Sequence, residues 1–469
     1  MSVFEHRAAA CLDRSFLKAA EIYFPKHEMR AYCALVMNTL LRPYPFRHSQ
    51  VADAVFVTSR DLEARFGRAN FQRINSQLNW LEVVPLDDGR DYKVGRGGAT
   101  GIAKAYRVSV SGLKAISGGI KYLDEISTQL IVERGHLGKA LQASTTTKSK
   151  SRGRFEMPLC LHLNRRALLD LQLELTLLRD PNNRITPSLK LLPLFEDLER
   201  LLPIERVRKL VRYQVQLAQL LAIMKAGSHR SHSAVFQRYT QSGSGRWYAQ
   251  GNSISLQNLP REIRNVAFKG NYLIDIDCCH WSLLNQLAIR LGKDLPIIKL
   301  MLRNKSSFRG PIAIETGATV PSIKEGLISL LFGASLEGTR SSLASLFDAD
   351  QLSRFRDDQK VLNLSLEIQS IRNSVIKFYR GKTKKRGWLV NDVGKGLPLC
   401  SITGRQSLAF ILQGAESQIL SSIGSRWGRN MRLLLHDGFV SREDLDCDEL
   451  SDHVYRETGW RVSFASEHL

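Results

Sequence analysis

The chain has 469 residues, 43% of them hydrophobic, and carries 67 Lys and Arg against 45 Asp and Glu, a formal net charge of +22. That length holds roughly two to four domains, and a field of that sign draws polyanions, so nucleic acid is the first partner to consider. The seven cysteines are scattered without CxxC or zinc spacing, no apolar run is long enough to span a bilayer, and no signal-peptide core opens the chain; the expected setting is reduced and cytoplasmic, with no membrane partner.

Residues 1–130 are expected to form one small domain. Arg30 to Leu41 is an apolar helical stretch. Thr58 to Gly67 opens on capping residues and closes on a glycine stop, and Asn70 to Trp80 follows as a second helix with Phe71, Ile74 and Leu78 on one face. Next come Val83-Val84, a turn at Asp87-Asp88-Gly89, Tyr92 to Val94, a glycine-tipped basic hairpin at 95–98, and an extended run from Tyr106 to Val110. Helix, turn, helix, wing is a winged-helix pattern. Such a module lays its second helix in the major groove of duplex DNA, here offering Arg73, Asn75, Gln77 and Asn79, with Arg96 on the wing. The competing reading is a helical cap whose polar face is merely solvated.

Residues 131–156 read as a basic flexible linker, polar and rich in Ser, Thr, Lys and Arg toward its end. Residues 157–230 are dense in Leu at helical spacing (Leu168 to Leu178, Leu191 to Leu202, Val207 to Met224) and predict a helical hairpin. From 231 to 469, helical and strand-like stretches alternate, which fits an α+β catalytic domain.

Two aspartates about 160 positions apart each end an apolar run: Tyr272-Leu-Ile-Asp275-Ile-Asp277 and Met431-Arg-Leu-Leu-Leu-His436-Asp437-Gly438. A strand that stops on Asp points a carboxylate out of a buried sheet. Two such carboxylates converging can hold two divalent cations roughly 3.5–4 Å apart, the apparatus of in-line phosphoryl or nucleotidyl transfer. Asp277 shares the strand face of Asp275 and is either the alternative ligand or a second one.

The segments around these aspartates give a more specific reading. Ser244-Gly245-Arg246, a short gap, Leu256-Gln257-Asn258-Leu259-Pro260 and Ile263-Arg264 come first. Asp275 to His280 follows, then Lys324 with Ile328 and Phe332-Gly333 at helical spacing, then Arg405 with Gln413-Gly414, then His436-Asp437. In this order the chain resembles the family-A DNA polymerases, the DNA polymerase I group. The resemblance implies a right-hand architecture of thumb (157–230) and palm with fingers (231–469), a DNA primer–template and dNTPs as partners, and Mg²⁺ as cofactor: two ions, with Mn²⁺ as substitute. It further implies that Arg246, Gln257, Asn258, Arg264, Arg405, Gln413 and His436 contact primer–template. Asp275 and Asp437 would be the catalytic metal ligands, Lys324 would clamp the triphosphate, Phe332 and Ile328 would face the base, and His280 would check the sugar.

There are departures from the family pattern. His280 stands where the family has Glu, Phe332 where it has Tyr, Val320 where an Arg is expected, and Gly438 where it has a second acid. The last change, and the run Arg246-Trp-Tyr-Ala, resemble single-subunit phage-type RNA polymerases and keep an RNA polymerase or primase on the same scaffold as an alternative. A non-catalytic DNA-binding initiator protein is a third reading. No acidic nuclease signature precedes residue 130, so neither proofreading nor 5′-nuclease activity is expected. By analogy a winged helix in that position suggests a phage or mobile element acting in the cytosol or nucleoid of a bacterial host.

Overall fold

The computed structural model describes residues 256–337, 346–383, 387–401 and 403–469, together with 55–58, 70–84, 103–119, 158–179, 203–227, 234–249 and isolated positions between 29 and 66 and at Leu343. The linker, the turn at 87–89, the wing with Arg96 and the run Leu191 to Leu202 lie outside these residues.

The N-terminal unit pairs β1 (Val55–Thr58), β2 (Leu81–Val84) and β3 (Ala103–Val108) as an antiparallel sheet in the order β1-β3-β2. Helix α1 (Asn70–Leu78) precedes β2, and α2 (Val110–Gly119) follows β3. Phe71 and Ile74 of α1 are buried as the spacing predicts, in a cluster with Tyr32, Phe66, Trp80 and Tyr106. Thr58, expected to open a helix, is the last residue of β1, and the extended run at Tyr106 stops at Val108, with α2 beginning at Val110.

Strand β4 (Pro158–His162), helices α3 (Arg165–Arg179) and α4 (Pro203–Gly227), and strands β5 (Ala234–Gln241) and β6 (Trp247–Ala249) come next. Helix α4 is apolar on more than one side because it serves two cores. Leu210, Leu217 and Met224 join the main core, while Val211, Val215 and Ala218 enter the N-terminal one. Arg208 fixes the joint: its Nε donates to the Val108 carbonyl at 3.0 Å and its Nη2 to Glu82 at 2.7 Å. A 3% exposed guanidinium is tolerated there because it is paired and hydrogen-bonded.

The C-terminal half begins with α5 (Arg261–Ala267), β7 (Tyr272–Ile276) and α6 (Cys279–Arg290). Helices α7 (Pro296–Arg303), α8 (Lys305–Thr316), α9 (Val320–Leu331), α10 (Ala349–Asp357) and α11 (Gln359–Gly381) follow. The hairpin β8 (Trp388–Val390) and β9 (Gly396–Pro398), helix α12 (Gly404–Trp427), strands β10 (Met431–Leu434) and β11 (Gly438–Ser441), helix α13 (Cys447–Thr458) and β12 (Phe464–His468) complete it. A four-stranded antiparallel sheet in the order β10-β11-β7-β12 carries the site. Helix α12 opens on a Thr403–Gln406 capping box and runs through the core with Leu408, Ile411, Ala415 and Ile419 fully buried. Among the described residues no helix is long and apolar enough to cross a membrane.

Candidate active site

The sheet sets the two aspartates side by side. Asp275 on β7 is in register with Gly438 on one side and Ala465 on the other, so both cross-strand neighbours are too small to cover its carboxylate. Asp437 is not at a strand end as the sequence suggests. It sits with His436 at the tip of the tight β10–β11 hairpin, closed by the Leu435 amide donating to the Gly438 carbonyl at 2.9 Å. The Ile276 amide donates to the Asp437 carbonyl at 2.9 Å, which ties the tip to the end of β7. A cleft of about 180 Å³ opens here, lined by Asp275, Asp437, His436, Gln257, Arg261 and Arg264 among others.

Gly438 has a packing reason. A Cβ at that position would run into the Asp275 carboxylate and the Ile274 carbonyl. Gly438→Ala is therefore expected to destabilise the protein by about 1–3 kcal/mol, as overpacking does, and to weaken divalent-cation binding by displacing Asp275; urea unfolding with and without Mg²⁺ measures both.

Burial first, and the Asp437 charge second, push the Asp275 pKa up to about 6. A carboxylate pair so placed gains from a cation, and hard oxygen donors suit Mg²⁺ or Mn²⁺. Among the described residues no group of three or more His, Cys, Asp or Glu is placed to hold a metal. Two carboxylates alone would leave most of a Mg²⁺ coordination shell to water or a bound substrate.

Asp277, the second candidate ligand, is placed elsewhere. Strand β7 ends at Ile276 and Cys278 turns the chain through a left-handed conformation (φ 46°), so the two-residue alternation linking Asp275 to Asp277 stops. The Asp277 carboxylate pairs with Lys305, and it is not part of the cleft lining.

Above the cleft lies a buried charge cluster that sequence reasoning did not find. Arg246 donates bidentately to Glu416, Nε to Oε1 and Nη2 to Oε2, both at 2.7 Å. His280 Nε2 lies 2.7 Å from Glu416 Oε2, and the Glu416 side chain has no solvent exposure. Burial pushes the Glu416 pKa up, but the His280 and Arg246 partners outweigh it and hold the carboxyl below its ordinary value. Arg246, expected on primer–template, is thus committed within the protein. Ser417 Oγ donates to the Gly245 carbonyl at 2.5 Å and Asn391 Nδ2 to the Ser244 carbonyl at 2.8 Å, so the Ser244–Arg246 turn is held by both α12 and the β8–β9 hairpin. Gly414 is needed because a Cβ there would strike the Asn391 side chain.

Gln257 is likewise spent on structure. Its Nε2 donates to the Trp247 and Leu434 carbonyls at 2.9 and 3.1 Å and its Oε1 accepts from the Ala249 amide at 3.0 Å. It braces the cleft wall and has little left for a minor groove. Asn258 is exposed, and Arg264 lies half-buried in the cleft with Nη1 3.3 Å from the Gln257 carbonyl. Arg261, given no role from sequence, lines the cleft one helical turn before Arg264 and pairs with Glu467 at 2.7 Å. His436 packs on Tyr248 with ring centroids 4.9 Å apart. Its Nδ1 is buried without a hydrogen-bond partner among the described residues, and burial, then the Arg246 charge, lowers its pKa.

Lys324 is exposed, with Ile328 and Phe332 half-buried at the same helical spacing. Phe332 meets His280 edge-on at 5.1 Å, which brings the end of α9 to the start of α6. Gly333, at φ 90°, packs so closely on Arg405 that a Cβ would overlap its side chain. Arg405 is exposed and Gln413 half-buried on α12. The structure thus gathers Asp275, Asp437, His436, Gln257 and Arg264 in one cleft, and joins His280, Phe332, Arg246 and Arg405 through α12 and α9.

In the N-terminal unit Asn75 is also committed. Its Nδ2 donates to the Leu81 carbonyl at 2.9 Å, while its Oδ1 accepts from the Leu81 amide at 3.2 Å and from Tyr32 Oη. Asn79 ends α1 in a left-handed conformation (φ 50°), and Arg73, Gln77 and Asn79 are exposed.

No family model and no curated protein matches this chain. A solved structure, the POL domain of Pol1 from M. smegmatis in complex with DNA primer-template and dNTP, is similar over 75% of this chain and 72% of its own, with 15% identity and a TM-score of 0.42.

Proposed function

We propose that this chain is a template-directed DNA polymerase of right-hand architecture that adds dNTPs to a primer 3′-OH. The observation that carries this reading is the pairing of Asp275 with Asp437 at the open end of an antiparallel sheet, between small neighbours and beside Arg261 and Arg264. Asp275 and Asp437 would hold Mg²⁺, which when bound supplies Lewis-acid stabilisation of charge on the reacting oxygens. Arg261 and Arg264 present cations to the primer–template backbone at the cleft rim. Lys324, exposed and without an ion-pair partner among the described residues, faces outward to neutralise a triphosphate. Phe332 offers a ring to the base, with His280 held beside it.

His280 would then border the sugar. Glu416 occupies its Nε2 side, so the imidazole acts as a fixed wall. His280→Gly is expected to raise ribonucleotide incorporation about 10-fold or more relative to dNTP, a shift of roughly 1.4 kcal/mol; unchanged sugar preference in single-nucleotide kinetics would sink the assignment.

The N-terminal sheet order β1-β3-β2, with α1 ahead of β2, supports a winged-helix reading in which Arg73 and Gln77 reach duplex DNA. The direct test is extension of a labelled primer on a DNA template with Mg²⁺, run with dNTPs or NTPs and with an unprimed control. Extension with dNTPs supports the DNA polymerase. NTP incorporation without primer moves the reading to an RNA polymerase or primase, for which Gly438 after Asp437 already speaks. No incorporation with an intact fold leaves the DNA-binding initiator.

A further inference from the structure

A second concavity, about 550 Å³ in volume, lies where the end of α6 meets the C-terminal turns of α11, and it shares no residue with the carboxylate cleft. Leu291 and Phe378 form an apolar floor, and Lys293, Lys377 and Lys382 stand around it. Lys382 is held in place: its Nζ lies over the Tyr379 and Phe378 rings, 4.0 and 4.8 Å from their centroids, and donates to Asp392 at 3.4 Å. Lys293 and Lys377 are exposed and have no ion-pair partner among the described residues. The sequence from Arg372 to Arg386 carries seven Lys and Arg and no Asp or Glu; residues 384–386 lie outside the described ones.

Asp392 offsets Lys382, which leaves the Lys293 and Lys377 charges beside it, and like charges gathered in this way favour a polyanion. Lysines around an apolar, aromatic floor match one ligand chemistry well: phosphates for the ammonium groups, and an unstacked base or sugar for the floor. A duplex keeps its base faces stacked inside and would leave the floor unused. The concavity is open to solvent, which suits a strand laid across it rather than an enclosed small molecule.

We propose that this groove binds single-stranded nucleic acid, as a contact separate from the carboxylate cleft. The inference rests on the groove itself and not on nucleotidyl transfer.

The test is equilibrium binding of the full chain to a labelled oligothymidylate of about 20 nucleotides, longer than a usual single-strand site of ~4–16, and to a duplex of equal length, over a salt series. The double substitution Lys293→Ala/Lys377→Ala removes two exposed side chains and should leave thermal unfolding unchanged. Its single-strand affinity is expected to fall about 3- to 10-fold, with the log–log salt slope reduced by about 1.4, or ~0.7 per lost phosphate contact. Duplex affinity should change less. The control Lys114→Ala/Lys269→Ala removes the same charge elsewhere on the surface. Unchanged single-strand affinity in the groove variant, or an equal loss in the control, overturns the proposal. If catalysis is absent but the groove variant binds as expected, the functional reading fails and this one stands.

Discussion

Asp437→Ala and Asp275→Ala are each expected to reduce primer extension at least about a thousand-fold, roughly 4 kcal/mol of transition-state stabilisation. The reason is positional. Asp275 sits between Gly438 and Ala465, so nothing in the sheet replaces its carboxylate, and Asp277 is turned away onto Lys305. Metal binding gives a readout separate from activity. Wild-type protein is expected to gain thermal stability on adding Mg²⁺ or Mn²⁺, and the Asp437→Ala protein to gain little. The pH dependence follows from Asp275. Its folded pKa is raised to about 6, above the ordinary carboxylate value of 3.8, so without metal the folded state binds the extra proton. The stability from that proton is full below about 3.8 and is lost as pH rises through about 6. A divalent cation competes with the same proton, so the Mg²⁺-dependent gain should be largest above pH 6 and fade below it. A gain independent of pH between 5 and 8, or one retained in both aspartate variants, would refute the metal site.

Asp275 stood out because the apolar run of β7 carries it near its end, whereas Asp437, expected at a strand end, sits at the tip of the β10–β11 hairpin, which an apolar run does not reveal. Helix α9 was legible because Lys324, Ile328 and Phe332 fall at helical spacing, whereas α12 is buried on several sides and has no single apolar face for spacing to reveal. What the sequence hid was the use to which polar groups are put. Arg246, Gln257 and Asn75 look like ligand contacts in one dimension, yet each hydrogen-bonds within the protein: Arg246 to Glu416, Gln257 to Leu434, Trp247 and Ala249, and Asn75 to Tyr32 and Leu81. Asp277 was misplaced by a period-two argument carried one residue past the end of β7. The glycines were ambiguous too. Gly438 reads as a lost acid beside the catalytic position, whereas the structure shows a close approach to Asp275 that no side chain permits. The Arg246–Glu416, Gln257–Leu434 and Gly438–Asp275 contacts each span roughly 160 residues or more, and spacing carries no record of them.

Glu416→Leu is expected to cost about 3–5 kcal/mol of folding stability, the usual result of stripping one partner from a buried ion pair. The Glu416 carboxylate is wholly buried and accepts two Arg246 hydrogen bonds and one contact from His280. Removing it leaves a guanidinium, 15% exposed, without its countercharge. Glu416→Gln keeps the shape but not the charge, and is expected to lose somewhat less. The double variant Arg246→Met/Glu416→Leu should recover much of the loss, because an apolar pair avoids desolvating either charge. Urea unfolding of the single and double variants forms the cycle that isolates the coupling. The purpose of the pair then becomes visible in function. Glu416 joins the 242–246 turn, the start of α6 and the core helix α12 at one point, and through His280 it reaches Phe332. A stable double variant that discriminates sugars as wild type does would show that the cluster is a structural rivet alone. If discrimination falls while stability is restored, Glu416 is a positioning residue whose task is to hold the His280 imidazole against the nucleotide.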